Sequence, residues 1–76
     1  MANGVGNTIN LLDVVALARD LPSRGLRRGQ VGTVVERLGP RTFEVEFSDD
    51  RGRTYALLAV PGASLMVLHY NRARAA

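Results

Sequence analysis

Glu44 and Glu46 stand two apart in the run Phe43-Glu44-Val45-Glu46-Phe47. On a strand that spacing points both carboxylates to one face, as a general acid–base pair requires. The same run alternates strictly between apolar and acidic residues, so a solvated outer row beside a buried apolar row explains the spacing with no catalytic role. Asp49 and Asp50 offer oxygens to a hard cation, but a calcium site wants six or more. With Arg51 and Gly52 behind them, they read as turn caps. Gly25, Gly29 and Gly32 lie among arginines and invite a phosphate-cradle reading. A P-loop needs Gly-Lys-Ser/Thr entering a helix, and a dinucleotide site needs Gly-x-Gly-x-x-Gly between strand and helix. Here a valine-rich strand follows, so the glycines are expected to serve turn geometry, with Gly29 and Gly32 taking backbone angles other residues avoid. His69 has no cysteine or paired carboxylate beside it and is expected at the surface, and Ser23, Ser48 and Ser64 lack a triad. No catalytic residue, no cofactor and no metal ligand is expected, and the chain reads as a non-enzyme.

Composition narrows the classes further. Seventy-six residues make one domain with a modest core. The absence of cysteine excludes a disulfide and a thiolate metal site, which leaves self-association as the usual remaining support for so small a domain. All ten basic residues are arginine, an economy that a GC-rich coding sequence explains as well as a need for guanidinium forks does. Net charge is +3, and +1 without Arg72 and Arg74 of the tail, a weak footprint for nucleic acid. Residues 1–7 show no basic, apolar leader, and no run approaches the roughly 18 apolar residues of a membrane helix. A cytoplasmic location, without membrane or small-molecule partners, is the expectation.

The elements that must position these residues are short strands. Leu11–Ala18 reads as a strand for its β-branched pair and its stop at Asp20-Leu21-Pro22, although Ile9, Leu12, Val15 and Ala16 also fit a helical face. Residues 19–30 form a long ordered loop, with Leu26 tucked in and the arginines solvated. Val31–Leu38 and Thr42–Ser48 pair across Gly39-Pro40-Arg41. A four-residue loop sets Leu38 opposite Phe43, Val34 opposite Phe47 and Arg37 opposite Glu44, and leaves Glu36 awkwardly beside Val45 unless the strand bends there. Asp49–Gly52 turns the chain into a strand over Arg53–Val60; Pro61–Ser64 makes one helical turn, and Leu65–Leu68 is the last strand. The fold class expected is all-β, a small five-stranded barrel over residues 11–70, with a flexible segment at 1–10 and a disordered tail at 71–76.

Several of these pieces together resemble a known family. Asp13-Val14-Val15-Ala16-Leu17, Asp20-Leu21-Pro22, Gly25-Leu26, Arg28-Gly29-Gln30-Val31-Gly32-Thr33-Val34-Val35, Glu44-Val45-Glu46-Phe47 and Gly52-Arg53-Thr54-Tyr55-Ala56-Leu57 look like short bacterial proteins of unknown function. The resemblance covers residues 11–68 and implies an SH3-like barrel, with no catalytic motif. Such reading frames often occur in mobile gene cassettes or beside toxin genes, which implies an inhibitory, immunity or adaptor role. The Gly29–Val34 segment is also similar to the core of KOW-type domains, which bind RNA and ribosomal or transcription partners.

Tyr55-Ala56-Leu57-Leu58-Ala59-Val60 is apolar at every position, so one of its faces must look outward. Pairing Ser48 with Arg53 turns Ala56 and Leu58 inward and leaves Tyr55 and Leu57 outside, opposite Glu46 and Glu44. The candidate interface is therefore Val35, Tyr55, Leu57 and Ala59, rimmed by Arg37, Glu44 and Glu46. A second copy of the chain or one protein partner would cover it, or the chain's own N-terminal segment or C-terminal tail would lie over Leu57 and Ala59. The runner-up is RNA or DNA binding through Arg24, Arg27 and Arg28, with Tyr55 and Tyr70 as the exposed aromatics.

Overall fold

The computed structural model describes residues 8–69. Five strands, β1 (Val14–Leu17), β2 (Val31–Arg37), β3 (Thr42–Ser48), β4 (Thr54–Pro61) and β5 (Leu65–Val67), form one antiparallel sheet in the order β4-β3-β2-β1-β5. The only other regular elements among the described residues are 3-10 turns at Pro22–Arg24 and Gly62–Ser64. No ladder joins β4 to β5 among the described residues, so the sheet is not closed. All-β architecture with a helical turn before the last strand is as expected.

The first strand is shorter than expected. Asn10–Asp13 forms a turn, closed by the Asp13 amide on the Asn10 carbonyl at 3.1 Å and by the Asn10 amide on Asp13 Oδ2 at 2.9 Å. Leu12 takes a left-handed backbone, φ 70°, and neither a strand nor the alternative helix passes through it. From Val14 on, β1 lies between β2 and β5 and is nearly fully covered.

The core lies on one side of the sheet. Val15, Leu17, Val34, Val45, Phe47 and Val60 are fully buried, with Phe43 and Leu58 nearly so. Strand β3 alternates as its sequence dictates, Phe43, Val45 and Phe47 inside and Glu44 and Glu46 half-exposed on the other face. The 19–30 loop closes the core with buried Leu26, held by the Leu21–Leu26 bridge.

Register departs from expectation by two residues. Val34 faces Val45 rather than Phe47, and Leu58 faces Val45. Because a shift of two keeps every side chain on its own face, the core assignments survive it. A bulge at Val35 then changes the β2 phase, so Glu36 faces Glu44 and Arg37 faces Phe43. Leu38, expected against Phe43, lies beyond β2 and is 48% exposed. A second bulge, at Tyr55, separates Phe47–Ala56 from Ser48–Thr54.

The two glycines of the β2 entry differ in role. Gly29 has φ 93°, as its turn requires. Gly32, expected to do the same, has no positive φ; it is needed because a Cβ there would sit 2.7 Å from Val45 Cγ1 and 2.8 Å from the Glu46 carbonyl.

Candidate functional site

Strands β2, β3 and β4 present a three-stranded outer face away from the core. Leu57 sits opposite Glu46, which in turn sits opposite Thr33; Ala59 sits opposite Glu44, and Glu44 opposite Glu36. Leu57 is 51% exposed and Val35 37%, so two large apolar side chains stand in water on a face whose acidic neighbours are half-covered. Tyr55, 50% exposed, lies off this patch at the bulge: its hydroxyl accepts from Gln30 Nε2 at 3.1 Å, and its ring centroid lies 6.4 Å from that of buried Phe47. The hydroxyl of Thr54 donates to the Glu46 carboxylate. Leu57 and Ala59 alternate with buried Leu58 and Val60 and point outward, whereas Tyr55, expected beside them, is carried by the bulge to the Phe47 side of the sheet.

Arg37 does not join the rim. With the bulge at Val35, it turns toward the β2–β3 connection, its guanidinium carbon 5.9 Å from the Phe43 ring centroid. Nε donates to the Gly39 carbonyl at 3.0 Å and Nη2 to the Pro40 carbonyl at 3.1 Å. The expected Arg37–Glu44 pair is replaced by a turn clamp and a cation–π contact. Glu36 takes the place opposite Glu44; the only sequence signal for it was the poor fit of Glu36 beside Val45.

Asp49 is committed to the hairpin. Its Oδ1 accepts from the Arg51 and Arg53 amides, both at 2.9 Å, its Oδ2 lies 3.5 Å from Arg53 Nε, and Gly52 follows at φ 80°. These are the contacts of a turn cap. Among the described residues no three histidine, aspartate or glutamate side chains are grouped to hold a metal ion.

Arg24, Arg27 and Arg28 are exposed on the 19–30 loop, which reaches β4 through the Gln30–Tyr55 hydrogen bond. The Arg28 amide is fixed by Asp20 Oδ1 at 2.8 Å and the Arg27 amide by Gln30 Oε1. Tyr70, the second aromatic of the nucleic-acid reading, lies outside the described residues, as do residues 1–7 and 71–76 of the expected termini. His69 is exposed. A cleft of about 570 Å³, which sequence reasoning missed, opens among Ile9, Arg41, Phe43, Gly62, Leu65 and Val67, where Gly62 lets the Phe43 ring approach the chain. No helix among the described residues is long and apolar enough to cross a membrane.

Residues 11–67, from the Leu11 turn to the end of β5, match the DUF4926 model, a domain of unknown function. The chain belongs to the DUF4926 family. No curated protein and no solved structure matches this DUF4926 chain.

Proposed function

We propose that this DUF4926 chain is a non-enzymatic protein-interaction module that docks through the outer face of β2, β3 and β4. The observation that carries the reading is the exposure of Leu57 and Ala59 on a strand whose alternate residues, Leu58 and Val60, already fill the core. Covering the exposed half of Leu57 contributes about 1 kcal/mol, so a partner that seals it together with its apolar neighbours gains enough for specific binding. The strand order, the long loop after β1 and the 3-10 turn before β5 support reading this open five-stranded sheet as SH3-like. Self-association and docking on one other protein both use this face. The nucleic-acid reading through Arg24, Arg27 and Arg28 uses a different surface, the 19–30 loop, where Gln30 links the Arg27 amide to the Tyr55 hydroxyl.

Affinity purification of the chain and of its Leu57→Glu variant from the same cells tests the reading. A stoichiometric partner, another copy of the chain included, is retained by the first and lost by the second. Identical retained sets for both would contradict it.

A further inference from the structure

The charges on the outer face choose among its occupants. Glu36, Glu44 and Glu46 run beside Val35, Leu57 and Ala59, and no arginine of β2, β3 or β4 shares that face with them. The one ion pair among the described residues, Arg53 with Asp49, lies away at the hairpin. Glu36 and Glu44 directly face each other, a pairing that destabilises a sheet unless something outside the sheet neutralises it. On a chain of net charge +3, this is a locally acidic and apolar surface to which β2, β3 and β4 contribute no cation.

That pattern disfavours a face-to-face second copy. A two-fold interface sets the same patch against itself, and stacked sheets lie about 10 Å apart. The glutamate rows of both copies would then share a space from which water is being removed. A nucleic-acid backbone meets the same repulsion.

Resting on the interaction-module reading above, we propose that the occupant is a protein segment that interleaves basic with apolar side chains, its arginines or lysines seated on Glu36 and Glu44 and its apolar groups on Leu57 and Val35. Charge complementarity of this kind fixes register and partner choice more than it adds affinity, while the apolar contacts hold the complex.

The test uses two synthetic peptides with the same leucine and valine positions, one with arginine and one with glutamate between them, titrated into the isotope-labelled full chain and read by amide chemical shifts. The arginine peptide shifts Glu36, Glu44 and Leu57. Its affinity falls as salt rises, drops about tenfold in the Glu36→Gln/Glu44→Gln double variant, and is lost in Leu57→Ser. The glutamate peptide leaves the spectrum unchanged. Equal binding of both peptides, or shifts confined to the 19–30 loop or to the cleft at Gly62, overturns the proposal. If neither peptide binds but the chain dimerises and Leu57→Glu makes it monomeric, the basic partner is refuted while the interaction module stands. If neither peptide binds and Leu57→Glu changes no association of any kind, both fail.

Discussion

Leu57 stands directly opposite Glu46 on the outer side of the β3–β4 ladder, an apolar side chain half in water beside a carboxylate that is itself half-covered. Each residue alone is ordinary on a surface. Their adjacency, repeated one row on by Ala59 and Glu44, makes the face neither a core nor a solvated rim.

Substitutions at Leu57 separate folding from docking. Leu57→Lys places an opposite charge across from Glu46, and Leu57→Glu places a like one, so the lysine variant is expected to be the more stable of the two by about 1 kcal/mol. Both lose the partner. Urea unfolding together with partner retention checks the pair; retention by either variant counts against the face.

Relieving the Glu36–Glu44 pair strengthens the isolated fold. Glu36→Gln is expected to add about 0.5 kcal/mol at low salt, with the gain fading as salt screens the parent pair. Denaturation midpoints at low and high salt measure it, and a destabilised variant would show that the two carboxylates do not repel.

Gly32→Ala is expected to cost about 1–3 kcal/mol, because the added methyl meets the Glu46 carbonyl at 2.8 Å and backbone cannot step aside as a side-chain end does. A variant as stable as the parent in urea would contradict the close approach of β2 to β3.

Leu12 holds a left-handed backbone at φ 70° while 74% exposed. Asparagine tolerates that conformation and little buried surface is lost with the leucine, so Leu12→Asn is expected to stabilise by about 1 kcal/mol, a rise of roughly 4–8 °C in Tm for a domain this size. Calorimetry decides; a lower Tm would mean the leucine packs against something.

Much of the fold was legible because its signals are local. The Phe43–Phe47 alternation, the Asp49–Gly52 turn and the doubly apolar β4 each follow from side-chain period or turn chemistry. The register of β2 was not legible, since hairpin spacing alone does not disclose a bulge, and the one at Val35 redirected Arg37 to Phe43 and brought Glu36 to Glu44. Leu57 and Ala59 kept their outer face because the discrepancy against β4 was an even number of residues, while the bulge at Tyr55 turned that ring to Phe47. The cleft at Gly62 was hidden for a different reason: it joins Ile9, Phe43 and Val67, which are far apart in sequence.

The central claim is that the face around Leu57 is covered when the protein is at work. The chain has no cysteine, so Leu57→Cys carries its only thiol, and Asp50→Cys supplies an exposed reference at the hairpin. Rates of labelling by a membrane-permeant maleimide are compared in living cells and in the dilute purified chain. Protection of the Leu57→Cys thiol in cells alone, with the Asp50→Cys thiol equally reactive in both settings, is the predicted result; equal labelling of the Leu57→Cys thiol in cells and in dilute solution would contradict it.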